Sequence, residues 1–130
     1  MFKMKKVIVI TGGSDGLGKA IAKQLKDENI IILSRNEEKL KEVSSEISCD
    51  YMVCDVTKPE EVEEIIVKIL DKDDHMDVLI NNAGIWLAGN LEDNDYEKIS
   101  SCIDINTKGP IYMTKAVLPG MYENKSGLII

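Results

Sequence analysis

Residues 7–22 read VIVITGGSDGLGKAIA. Four β-branched residues, Val7 to Ile10, run unbroken into a patch where Gly12, Gly13, Gly16 and Gly18 fill four of seven positions. A helical-looking stretch follows. A short continuous apolar run fits a strand buried on both faces. Glycines that close a strand and open a helix leave backbone amides pointing outward at the positive end of the helix dipole. A phosphate can approach such a loop because no Cβ stands in its way, and the last glycine lets helix and strand pack closely. The strict G-x-G-x-x-G spacing is absent, since Ile21 stands three residues after Gly18; the spacing is T-G-x-x-x-G-x-G.

Outward from this stretch the same alternation repeats. Leu17, Ala20, Ile21 and Leu25 recur at helical spacing, and Ile30–Leu33 reads as a second strand. NEEKLKEVSSEI follows, with Leu40, Val43 and Ile47 on one helical face, and Tyr51–Cys54 makes a short third strand. Thr57-Lys58-Pro59-Glu60 has the form of a capping box, with Thr57 as N-cap and proline in the first turn. Behind it Val62, Ile65, Ile66 and Ile69 form an apolar stripe. Val78–Ile80 is a fourth strand. The loop NNAGIWLAGN leads to a helix from about Asp93 and a further helical stretch to about Tyr122, and Gly127–Ile130 looks like a fifth strand. Strand and helix alternating in this way predict an α/β domain with a doubly wound parallel sheet. The chain stops inside an apolar strand, so the expectation is the front part of a longer domain, residues 1–130 being one unit incomplete at its C-terminus.

The bulk numbers narrow the function classes. The chain has 130 residues, 44% of them hydrophobic, which suits one domain with a modest core. Its net charge of −7 and lack of a basic stripe argue against nucleic acid as a partner. No apolar run approaches the roughly 20 residues that span a bilayer, and the apolar run after MFKMKK is too short for a signal peptide. Cys49, Cys54 and Cys102 are odd in number and show no CxxC spacing, so they read as free thiols of a cytoplasmic protein. His75 has no partner at ligand spacing, and no metal site is expected.

Four motifs stand in one order: TGGSDGLG, the Asp55-Val56 pair after the third strand, Asn81-Asn82-Ala83-Gly84 after the fourth, and DINTKGPIYMTKAVLPGM around Asn106. Together they resemble the short-chain dehydrogenase/reductase family in its ordinary branch, from Val7 to Ile130. The resemblance implies a Rossmann-type fold with strand order 3-2-1-4-5 and a nicotinamide dinucleotide across the carboxyl edge of strands one and four. It implies that Gly12, Ser14, Gly16, Leu17 and Gly18 hold the pyrophosphate and adjoining ribose. Asp55 and Val56 would frame adenine, and Asn82, Ala83 and Gly84 would pass beside the cofactor's ribose. Asn81 would tie neighbouring strands together. It further implies an alcohol/carbonyl substrate and a homo-oligomer.

Cofactor choice turns on the end of the second strand. An acidic residue there would bind the adenosine ribose diol and repel a phosphate. This chain has Ser34, Arg35 and Asn36. Serine removes the repulsion, and arginine offers a planar donor fork that suits phosphate. NADP is therefore expected over NAD. Asp15 argues the other way, since NADP-preferring relatives can place a base there. Asn36 is also a candidate N-cap for the helix that follows.

The acid/base expected of the family is not in these residues. It would be a Tyr followed four residues later by Lys, preceded by a Ser on the loop after the fifth strand. Four residues after Tyr51, Tyr96, Tyr112 and Tyr122 stand Asp55, Ser100, Ala116 and Ser126. Tyr112 and Tyr122 have lysines three residues on, Lys115 and Lys125, which is the wrong register. Of the family's catalytic set only Asn106 is present. Residue 110 is proline, so in a regular helix the Asn106 carbonyl would lack its donor and stay free for water. The expected activity is an NADP-preferring oxidoreductase whose cofactor half lies in this chain. The alternative is a non-catalytic dinucleotide-binding, sensing or interaction protein.

Overall fold

Every apolar run named above becomes a strand of one parallel sheet in the computed structural model, which describes residues 3–130. The elements are β1 (Val7–Thr11), α1 (Gly16–Gln24), β2 (Asn29–Ser34), α2 (Glu37–Ile47), β3 (Asp50–Val53), α3 (Pro59–Asp73), β4 (Val78–Ile80), α4 (Tyr96–Ile103), α5 (Gly109–Glu123) and β5 (Leu128–Ile129). The order across the sheet is β3-β2-β1-β4-β5, as expected. Val9 lies opposite Ile31 on one side and Leu79 on the other, so β1 is central and buried along its whole length.

The period of two along the strands divides the core. Val7, Val9, Ile31 and Leu33 face one layer, packed with Val62, Ile65, Ile66 and Ile69 of α3 and with Met113, Val117 and Met121 of α5. Ile8, Ile10, Ile30 and Ile32 face the other layer, packed with Ala22 of α1 and Leu40 and Val43 of α2. Each fully buried aliphatic side chain contributes about 1.5–3 kcal/mol, and this two-sided burial is why the strands read as unbroken apolar runs.

Four local expectations need correction. Leu17 and Ala20 are exposed; of the expected face Ile21 and Leu25 pack against the core, together with Gly18 and Ala22. The helix lies so close to β1 that a Cβ on Gly18 would stand 2.2 Å from the Gly12 carbonyl oxygen, so larger residues must turn outward. Thr57 is not the N-cap of α3. Lys58 holds that position without a side-chain cap, while the Thr57 hydroxyl and amide both donate to Asp55 Oδ1 at 2.7 and 3.0 Å. The helix expected from Asp93 begins at Tyr96, capped by Asp95, after a 3-10 turn over Leu91–Asp93. The run around Asn106 is not regular α-helix: Asp104–Lys108 forms a π-helical turn, closed where the Gly109 amide donates to the Asp104 carbonyl.

Candidate functional site

The chain adds β2 and β3 on one side of β1, then crosses to add β4 and β5 on the other. Between β1 and β4 the loops therefore leave the carboxyl edge in opposite directions, which opens a crevice where α/β sheets take ligands. The β1–α1 loop and the loop after β4 form its walls. Thr11, buried at 2% exposure, ends β1 and joins them: its Oγ1 accepts from the amides of Asn82 at 3.0 Å and Ala83 at 2.9 Å. Asn82 Nδ2 returns a bond of 3.1 Å to the Gly12 carbonyl. Asn82, expected beside a ribose, lines the hollow above the sheet edge, and its side chain also braces the glycine loop.

The glycines are where close approach demands them. Gly12 has φ +66, and a Cβ there would stand 2.9 Å from Ala83 Cα. A Cβ on Gly13 would meet Ile32 at 2.6 Å. Gly16 has φ +49 with nothing within 4 Å of where its Cβ would be, so its bare backbone faces open space at the start of α1. Gly12, Ser14, Asp15, Gly16, Leu17, Asn82, Ala83 and Gly84 line one hollow above β1 and β4. The neighbouring hollow is lined by Gly12, Leu33, Ser34, Arg35, Cys54, Asp55, Val56, Ala83, Gly84, Ile85 and Ile105. The two share Gly12, Ala83 and Gly84 and make one trough along the sheet edge.

Its polar equipment is specific. Ser14 Oγ donates to Ser34 Oγ at 2.9 Å, and Ser34 Oγ also accepts from the Asn36 amide at 3.1 Å. Asn36 caps α2, its Oδ1 accepting from the Lys39 amide at 3.0 Å. Asp15 caps α1 through Gly16 and pairs with Lys39 at 2.7 Å. Burial pushes the Asp55 carboxyl up, but the two Thr57 bonds and the charges of Arg35 and Lys58 outweigh it and hold it below its ordinary value. Its backbone is fixed too, the Asp55 amide donating to Glu61 at 2.9 Å. Asn106 acts on the far wall. Its Oδ1 accepts from the Ile85 amide at 2.8 Å and its Nδ2 donates to the Ile85 carbonyl at 2.7 Å, so one side chain holds the loop after β4 in the manner of a paired strand. Gly84 lies under it, 3.1 Å from its would-be Cβ to Asn106 Oδ1. Asn81 does tie strands: its amide donates to the Ile130 carbonyl beside β5.

All fifteen expected site residues thus fall on this edge of the sheet or on the turns that brace it. Thr11, Ile85, Ile105 and Lys39 were missed. Thr11 stood beside the glycines in the motif itself, and Lys39 was concealed as an ordinary surface lysine of a helix.

A sequence profile of the short chain dehydrogenases matches residues 6–130. The chain belongs to this family. It is 35% identical over 135 residues to an uncharacterised oxidoreductase of Staphylococcus epidermidis, covering 100% of this chain and 59% of that protein. With an uncharacterised oxidoreductase of Staphylococcus aureus it shares 38% over 130 residues, 96% of this chain and 56% of the relative. Among solved structures, a metagenomic short-chain oxidoreductase in complex with NADP superposes with a TM-score of 0.89 at 30% identity, over 97% of this chain and 61% of that one. Serine dehydrogenase complexed with NADP+ superposes with a TM-score of 0.88 at 31% identity, over 95% and 52%. The chain thus spans 52% to 61% of the length of these relatives.

As a member of this family it carries the Rossmann-type parallel sheet in the order β3-β2-β1-β4-β5. Tyr112 packs against the core on the α3 side of α5, away from the trough, and Tyr122 is exposed near the end of α5. No helix among the described residues is long and apolar enough to cross a membrane. No three His, Cys, Asp or Glu residues among them cluster as metal ligands would.

Proposed function

We propose that this chain is the dinucleotide-holding part of an NADP-preferring oxidoreductase acting on an alcohol/carbonyl pair. The observation that carries the reading is the end of β2: Ser34 and Arg35 line the trough where a carboxylate would exclude a 2′-phosphate. The trough fits a dinucleotide because Gly16 leaves backbone open at the start of α1 and Gly12 lets the two walls meet without side chains. When bound, the nicotinamide supplies or takes the hydride. The chain's own groups bind and orient. The amides at the start of α1 face the pyrophosphate, joined by Gly12, Ser14, Leu17 and Gly18 of the same loop. Asp55 and Val56 frame the adenine, and Asp55 keeps its charge because Thr57 and Arg35 lower its proton affinity. Ala83 and Gly84 offer a flat passage for the ribose. Asn106 holds Ile85 in place through both of its side-chain amide atoms.

Arg35→Ala tests the reading. NADP binding should weaken by about 1.5–3 kcal/mol, the scale of a charge-assisted hydrogen bond, with NAD binding little changed. Calorimetric titration of both cofactors against both proteins measures it. Equal losses would remove Arg35 from the 2′-phosphate.

A second reading rests on one observation: none of the four tyrosines has a lysine four residues on. On this reading the 130 residues bind the cofactor without turnover. Purified chain should then show no NADPH-dependent carbonyl reduction. A rate abolished by Tyr112→Phe or Tyr122→Phe would overturn it.

A further inference from the structure

Asp15 is out of place in a site for a dinucleotide that bears a 2′-phosphate besides its pyrophosphate. It is a carboxylate on the glycine loop, at the positive start of α1, next to Ser14, whose hydroxyl is bonded to the residue ending β2. Left alone it would repel a 2′-phosphate. It is not alone. Lys39 reaches from the first turn of α2 across to the β1–α1 loop and pairs with Asp15 Oδ2 at 2.7 Å. The same turn carries Asn36, which caps Lys39's own amide, and Ser34, which takes the Ser14 hydroxyl. Two loops from different strands are thus stitched twice, once by hydroxyls and once by charge.

We infer that Lys39 is a specificity-determining cation for the 2′-phosphate, held over the site by Asp15 until the phosphate competes for it. The inference rests on the NADP reading above. Three features support it. The Lys39 ammonium already faces a carboxylate of the glycine loop, so it occupies a place where negative charge is accommodated. The pair is solvated, with half of the Lys39 side chain and most of that of Asp15 exposed; such pairs are weak in water, so a phosphate bearing more charge and more acceptor oxygens can draw Lys39 away. Arg35, on the same turn, faces the trough and acts electrostatically on Asp55, whereas Lys39 reaches the glycine loop, so the two cations address different sides of the β2–α2 turn. Each partner holds the other charged: the Lys39 bond lowers the Asp15 carboxyl and the Asp15 bond raises the Lys39 ammonium from their ordinary values.

The test uses the 130-residue chain and calorimetric titration with NADP, NAD, adenosine 2′,5′-bisphosphate and 5′-AMP. Lys39→Gln should weaken NADP and the bisphosphate at least tenfold and change NAD and 5′-AMP less than twofold. Lys39→Arg should restore the preference. Asp15→Asn should tighten NADP severalfold, because it removes both the competitor for Lys39 and the repulsion. Equal weakening of all four ligands by Lys39→Gln would mean that Lys39 only braces the loops, and no weakening would mean that Arg35 alone reads the phosphate; either overturns the inference while a wild-type preference for NADP leaves the cofactor reading standing. Wild-type chain that prefers NAD, or binds neither dinucleotide, overturns both.

Discussion

At the scale of the residue, two glycines of one loop have opposite reasons for being glycine. Gly18→Ala would drive a Cβ to 2.2 Å from the Gly12 carbonyl oxygen and 2.4 Å from Asn82 Nδ2. Those are braces of the loop, so the expected cost is overpacking of about 1–3 kcal/mol, read as a lowered urea midpoint. Gly16→Ala meets no atom but places a side chain at φ +49, a cost of about 1 kcal/mol. It should harm dinucleotide binding more than stability, since its Cβ would project into open space beside the trough. Asn106→Ala loses both bonds to Ile85 in an exposed setting, worth about 0.5–1.5 kcal/mol each; exchange of the Ile85 amide should quicken while the β1 amides keep their protection. The thiols give a pH dependence. Burial pushes Cys54 and Cys49 up to about 11 from 9.0. A folded group that holds its proton more tightly than the unfolded one stabilises the fold below the unfolded value and stops doing so above the folded one. Stability should therefore fall as pH rises from 9 towards 11, and the double replacement of Cys49 and Cys54 by Ala should flatten that fall in urea titrations.

At the scale of the element, what the sequence disclosed and what it hid divide along a physical line. Strands buried on both faces announced themselves, because Val7–Ile10 and Ile30–Leu33 can be nothing but apolar. The α3 stripe was equally plain, and all four of its residues are buried. Elements whose form depends on partners distant in sequence were not legible. Thr57 has the right neighbours for a cap, yet its hydroxyl finds Asp55 first, which no local pattern reveals. Half of the α1 face was misread: Ile21 and Leu25 do pack against the core, but at Leu17 and Ala20 helix-to-strand distance, not hydrophobicity, decides which residues turn inward. The π-helical turn at Asp104–Lys108 left one trace, Pro110, whose missing N–H removes a regular helical bond. The extra residue in that turn accompanies a close contact, for a Cβ on Gly109 would lie 2.7 Å from Val56 Cγ2. Gly109→Ala should push α5 away from Val56 and loosen that end of the trough, lowering dinucleotide affinity while α5 stays helical by circular dichroism. Of the site, the glycine loop and the β2 end were readable because their chemistry is written in adjacent residues. Lys39 was not, because its partner is 24 positions away.

At the scale of the whole molecule the sheet has two unequal parts, β3-β2-β1 and β4-β5, joined by a ladder of three residue pairs from Ile8–Val78 to Ile10–Ile80. The second part is thin. β5 holds on through Leu128 to Asp77 and Ile130 to Leu79, and Leu128 and Ile130 are more than half exposed. Hydrogen exchange should rank the amides accordingly, slowest in β1 and β2 and fastest in β5; equal protection of β5 would mean that its outer edge is covered in solution, by a second copy if light scattering finds a dimer. Just past the joining ladder lies Thr11, whose oxygen gathers the Asn82 and Ala83 amides and whose hydroxyl lies 3.5 Å from the Ile80 carbonyl. It behaves like the slider of a half-open zipper: below it the strands mesh tooth by tooth, above it they part, and where the parting begins is set by a single atom. Valine has the same outline without that atom, so Thr11→Val should strand the Ala83 amide at about 1–3 kcal/mol, whereas serine, with the atom and less of the outline, should keep the zipper open at the same tooth.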